Sequence, residues 1–296
     1  MQQRQLGAIQ AIFASIFFGF IPFFTLPLYE LGFTSDLTLF YRFGTACLIM
    51  GVILLIKRQS FAITRSSLYS LALHGTNYFL IALFLFLALS TSDSGIVTTI
   101  FYTNPVFVLV LSVFFFKERL ELYKLVLILC TSFGVAMLSG IFSSQINISV
   151  QGMIFSLLAG LGYAFYIILL MKFPASDLNR DVFSFYLFLF GALSSGIYTA
   201  FSGNMFFPTE FKAWYNIFGS AFVTGVVSNL LLIYALPKIG TVFVAIFGVM
   251  EPLTAVFIGI LVFNEEMNMI KALGIIVIVI SIMLLTIIPK LRGNKI

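Results

Sequence analysis

Residues 100–118 read IFYTNPVFVLVLSVFFFKE and residues 247–265 read FGVMEPLTAVFIGILVFNE. Both are apolar runs long enough to cross a bilayer. Both carry a proline directly after a polar residue (Asn104-Pro105 and Glu251-Pro252), and both end on a glutamate (Glu118 and Glu265). The second stretch repeats the first at an offset of 147 residues, and the same offset lays Ala88-Leu89 on Ala235-Leu236. Nearer the front of each half, Ala11, Ser15 and Gly19 match Ser156, Gly160 and Ala164 at an offset of 145. Small residues spaced four apart let helices approach closely. The chain therefore reads as two copies of one plan, residues 1–145 and 146–296.

Composition fixes the solvent of both copies. Of 296 residues, 61% are apolar and 9% charged, against about 45–50% and about 25% in a soluble globular chain. Mean hydropathy is +1.12. A crossing takes roughly 20 apolar residues, and the sequence predicts ten of them, near 6–29, 37–56, 68–90, 94–116, 122–141, 151–171, 182–202, 215–236, 240–263 and 270–289. The expected fold is thus all-α and membrane-spanning, with no room for a folded catalytic head. That excludes nucleases and kinases. The first apolar run lacks a clear cleavage site, so it reads as a retained helix with the chain beginning near Met1. Cys47 and Cys130 both lie in apolar stretches, where packing is their expected role.

The net charge of +5 does not point to nucleic acid, because the basic residues are scattered singly between apolar runs. They set topology instead. With both termini cytoplasmic, thirteen Lys and Arg residues fall on inner segments, Lys212 and Lys271 fall outside, and Arg42 lies within the second helix. Five helices per copy is an odd number, so the second copy is expected upside down relative to the first. Inverted repeats with a site at their interface near the midplane are the architecture of many secondary transporters.

The paired motifs resemble those of the drug/metabolite transporter superfamily, EamA branch, over nearly the whole chain. The residues that carry the resemblance are Asn104-Pro105 with Lys117-Glu118, Glu251-Pro252 with Glu265, the Phe18-Gly19 step and Arg42. The chain departs from the family in having Phe18-Gly19 where Trp-Gly is common, and Lys117-Glu118 and Asn264-Glu265 where Gly-Glu is common. The resemblance implies a ten-helix inner-membrane carrier that moves small metabolites such as amino acids, or drugs, by alternating access, commonly outward.

Several polar side chains are candidates for the site. Glu251 lies near mid-bilayer, where a carboxylate costs roughly 2.5–3.5 kcal/mol to insert and needs a cavity or a partner. Held out of water it resists ionisation, which makes it the expected proton carrier; a permanent pair with Arg42, or a helix-breaking glutamate that only bonds freed backbone groups, is the alternative. Asn104 holds the matching position in the other half, and Pro105 and Pro252 are expected to break their helices at the site. Asn77, Tyr78, Tyr102 and Asn229 are expected to bound the cavity, Asn229 having helix-to-helix hydrogen bonding as its alternative. Phe18 and Tyr163 lie beside this polar set. Most of the 37 Phe are expected to face lipid. Arg42 either snorkels to the interface or gates by exchanging carboxylate partners. His74, the one histidine, shares a helix face with Asn77 and Tyr78 and stands with Glu251 and Arg42 as a coupling or gating candidate, a satisfied polar contact being the alternative; without thiolates nearby it is no evidence for a metal.

Glu118 and Glu265 read as structural, capping neighbouring helices. Asn147-Ile148-Ser149 is formally a glycosylation triplet. No phosphate-cradling Gly-rich loop and no nucleophile-base spacing is present, so no cofactor and no enzymatic activity are expected. A passive channel, a membrane scaffold or an uptake carrier of the same fold are the alternatives to an exporter. The expected partners are a small-molecule substrate, the lipid bilayer and protons as coupling ion.

Overall fold

A computed structural model describes residues 2–89, 91–92, 94–117, 121–138, 142, 149–172, 179–263 and 268–291. Within them every regular element is helical: α1 (Gln2–Phe18), α2 (Ile21–Glu30), α3 (Ser35–Ile56), α4 (Arg65–Leu89), α5 (Ser94–Phe101), α6 (Asn104–Phe116) and α7 (Leu122–Leu138). There follow α8 (Val150–Lys172), α9 (Arg180–Ser202), α10 (Phe211–Gly219), a π-helical turn (Ser220–Val227), α11 (Ser228–Ile239), α12 (Thr241–Phe247), α13 (Met250–Phe263) and α14 (Met269–Leu291). Eight helical segments are long and apolar enough to cross a membrane. Two further apolar stretches, Leu122–Met137 in α7 and Met269–Leu284 in α14, add to them. The chain is a multi-pass membrane protein. Glu118, Glu265, Asn147-Ile148 and the end of the fifth expected helix at 139–141 lie outside the described residues.

Three of the expected spans are broken, two of them at the prolines expected to break them, each for a local reason. A proline lacks an N–H and pushes away the carbonyl four residues before it. Pro105 does this to Phe101, and the chain turns at Tyr102-Thr103 before α6 begins, with Pro105 in the tolerant first turn. Pro252 does it to Gly248, and α12 stops at Phe247. The first span breaks at Gly19-Phe20, just before Pro22, which stands in the tolerant first turn of α2. A fourth irregularity, the π-helical turn between α10 and α11, has no proline. A π-turn shifts backbone bonds from i+4 to i+5 and re-aims carbonyls.

Packing repeats with the halves exchanged. α1 lies along α11 as α8 lies along α4, and α1 meets α13 as α8 meets α6. α3 packs on α9, α6 on α12 and α7 on α14, each pairing one half with the other. The two small-residue lines are at these contacts: Ala11, Ser15, Ser156 and Ala164 are all at most 4% exposed. Large apolar side chains such as Phe114 and Leu261, 77% and 78% exposed, cover the outside, where acyl chains are the natural solvent.

A cavity between the halves

A cavity of about 100 Å³ opens among α1–α5, α8, α11 and α13. Its wall is mostly aromatic and aliphatic, and two charged side chains interrupt it: Arg42 from α3 and Glu251 from α13. One comes from each half of the sequence. They make no ion pair within 4 Å, so the permanent Arg42–Glu251 bridge does not form.

Arg42 is 8% exposed. Its Nη2 donates to the carbonyl oxygen of Thr224 at 3.0 Å, which the π-helical turn presents and which also accepts from the Ser228 hydroxyl at 2.6 Å. Arg42 is thus anchored on protein rather than snorkelled to the interface. Its Nε has no hydrogen-bond partner among the described residues. A buried guanidinium with an unused donor costs free energy unless a further acceptor arrives. Glu251 is half-buried, with Tyr102 its neighbour behind the cavity wall. Its backbone N–H, at 2.9 Å, takes up the Gly248 carbonyl that Pro252 displaced.

Between the charges the wall is a set of rings. Tyr78 lies 5.2 Å from Tyr166 and 5.6 Å from Phe43 between ring centroids. Tyr163 lies 6.1 Å from Phe101. Such edge and offset contacts fix ring positions, and the Tyr166 hydroxyl is tethered to Asn229 Oδ1 at 2.8 Å.

Of the side chains expected at the site, Phe18, Arg42, Tyr78, Tyr163 and Glu251 line the cavity. Tyr102 sits one layer back. Asn77, Asn104 and Asn229 lie outside the wall. The Asn77 amide donates to the Gly162 carbonyl at 3.1 Å, joining α4 to α8. Asn104 donates to Phe101 at 2.9 Å within its own helix break. Asn229 holds Tyr166. His74 is fully buried away from the cavity, its Nδ1 2.7 Å from the Ser70 carbonyl and its ring edge-on to Phe183 at 5.2 Å. Pro105 and Pro252 shape the breaks and do not line the wall. Sequence reasoning missed Phe43 and Tyr166 as wall residues. The legible signal for Tyr166 was its place one turn after Tyr163; Phe43 was inseparable from the lipid-facing phenylalanines.

Comparison with known proteins agrees with this architecture. A solved crystal structure superposes with a TM-score of 0.79 at 15% identity, covering 97% of this chain and 98% of that one, a likeness of fold. An uncharacterized transporter of Bacillus subtilis (strain 168), YxxF, is 30% identical over 172 residues. That match covers 55% of this chain, and the chain spans about half the length of that relative (53%). The model of the EamA-like transporter family matches twice, over residues 5–140 and 150–287. With nearly the whole chain matched, one unit per half, the protein belongs to the EamA-like transporter family.

Proposed function

We propose that the protein is a secondary active transporter in which the halves 1–145 and 146–296 form two inverted five-helix repeats, ten crossings in all. In this reading the repeats rock about the central cavity to expose it alternately to either side, and carry a small metabolite outward across the inner membrane. Both termini face the cytoplasm, as the distribution of Lys and Arg supports. The observation that carries the reading is the unpaired Arg42 and Glu251 on one cavity wall. A ligand with an anionic group reaches the free Arg42 Nε, and its cationic or donor end reaches Glu251, with apolar parts against Tyr78, Phe43 and Tyr163. Amino acids and related amphipathic metabolites have that charge pattern. When no ligand is bound, a proton on Glu251 removes the cost of an unpaired carboxylate in a low-dielectric wall. Exchange of proton for ligand then couples the two movements.

The test is thermal stabilisation of the purified protein across amino acids, amines, sugars and drug-like cations, repeated with Glu251→Gln and followed by counterflow in proteoliposomes. The expected result is a zwitterionic ligand that raises the midpoint. Its binding should weaken by about tenfold or more in Arg42→Gln, as befits a lost charged hydrogen bond of about 1.5–3 kcal/mol. In Glu251→Gln, transport loses its dependence on a pH gradient. An active Glu251→Gln carrier with unchanged proton dependence overturns the coupling role, and linear, unsaturable flux in place of counterflow overturns the carrier reading.

A further inference from the structure

A second cavity, of about 270 Å³, lies at the end of the bundle that bears the N-terminus, and it shares no wall residue with the central one. Arg4 from the first turns of α1, Glu121 and Lys124 from the start of α7, and Gly240, Thr241 and Phe243 from the corner between α11 and α12 form its wall. Two cations converge there on one ring. The Arg4 guanidinium lies 5.0 Å from the Phe243 centroid and Lys124 Nζ 5.8 Å from it. Glu121 Oε1 is 2.9 Å from Lys124 Nζ, while Arg4 has no ion pair among the described residues. The wall therefore carries one positive charge in excess. Gly240, at φ +83, faces open space, with nothing within 4 Å of the position a Cβ would take.

The repeat plan does not demand this arrangement. Lys124 recurs as Lys271, but the counterpart of Arg4 is Ser149 and that of Glu121 is Asn268. Where the second half repeats the contact, the Ser149 and Ser92 hydroxyls meet at 3.0 Å and Gly152 closes against Ser92. One end is a hydroxyl clasp and the other a charged, open cavity.

We infer that this cavity binds a phosphate-type anionic group, with Arg4 and Lys124 as its ligands. Guanidinium and ammonium groups bind phosphate oxygens by charge-assisted hydrogen bonds, the former in a planar fork. The apolar spans of α1 and α7 begin next to Arg4 and Lys124, so the cavity sits at headgroup depth, where each basic side chain attracts anionic lipid. Free phosphate offers the same chemistry. Glu121 competes with the anion for Lys124, and binding displaces it.

The full chain, purified in detergent, is unfolded thermally against phosphatidylglycerol, phosphatidylcholine of the same acyl chains, and sodium phosphate at constant ionic strength. Phosphatidylglycerol is expected to raise the midpoint where phosphatidylcholine does not. Arg4→Gln and Lys124→Gln should each raise the half-saturating concentration about fivefold. Because Lys124→Gln also breaks the pair to Glu121, Glu121→Gln is the second variant, and it should lower half-saturation severalfold. Stabilisation by phosphatidylglycerol alone assigns a lipid headgroup; stabilisation by phosphate as well assigns a free anion. No preference for either over phosphatidylcholine and chloride, retention of the effect in the Arg4→Gln/Lys124→Gln double variant, or unchanged or weaker binding in Glu121→Gln overturns the site.

Discussion

Pro105 and Pro252 displace one carbonyl each, and the two halves repair the damage differently. In the first, the Asn104 side chain donates to Phe101 at 2.9 Å; in the second, the backbone N–H of Glu251 donates to Gly248 at 2.9 Å. The equivalent side chains are thereby released to different tasks. Asn104 is consumed by the break, whereas the Glu251 carboxylate is free to face the cavity. Replacing Asn104 by Leu should leave the Phe101 carbonyl unsatisfied, at a cost of about 1–3 kcal/mol, read as a lower thermal midpoint in detergent. Glu251→Gln should keep the midpoint near that of the parent. A fully stable Asn104→Leu would mean that the chain turn satisfies Phe101 without its amide. The same contrast explains what the sequence could disclose. A polar side chain in lipid needs a partner, but an amide directly before a proline has that partner one turn back in the freed carbonyl, while Asn77 and Asn229 reach across helices to Gly162 and Tyr166. Nothing local distinguishes those from cavity residues. A carboxylate at that depth is too costly to leave in lipid whatever its neighbours, which is why Glu251 was legible as a cavity residue.

Helix by helix, the small residues matter through what stands opposite them. A Cβ on Gly19 would lie 2.5 Å from Thr254 Cβ and 2.6 Å from the Glu251 carbonyl oxygen, so α1 rests on the very turn that presents Glu251. Gly44, on α3, has nothing within 4 Å. Gly19→Ala should therefore cost about 1–3 kcal/mol through overpacking and lower transport by shifting Glu251. Gly44→Ala should be neutral or stabilising by about 0.5–1 kcal/mol, since glycine is a poor helix former. Thermal midpoints of the two variants decide it, and equal midpoints would remove the α1–α13 contact as the reason for Gly19. Thr254→Gly should not rescue Gly19→Ala fully, because the backbone carbonyl stays in place. The small-residue line and the proline breaks were readable because each has a local mechanism. The π-helical turn was not: Ser220 to Val227 carries no proline, and its purpose is visible only when Arg42, 182 positions away from Thr224, is seen to donate to its carbonyl.

For the molecule as a whole, the same helix pairs hold opposite ends, and the two ends differ. On the side of the N-terminus, Ser112 and Thr241 hydroxyls meet at 2.7 Å between α6 and α12, Gly7 is pressed against Lys238 and Ile239, and Lys238 donates to Gln10 at 2.6 Å. The central cavity shares none of these residues and has Ile21, Leu85 and Phe86 in its wall. The proposed rocking of the halves requires the α6–α12 contact to part, because one helix belongs to each half. In a background without Cys47 and Cys130, Ser112→Cys with Thr241→Cys should form a disulfide under mild oxidation. Transport should stop, ligand stabilisation should persist because the cavity is already formed, and reduction should restore flux. A population shift of this kind leaves binding to the locked state intact while abolishing turnover. If the oxidised protein transports at the parental rate, the α6–α12 contact does not open in the cycle, and the movement has to be sought at the Ser92–Ser149 clasp instead.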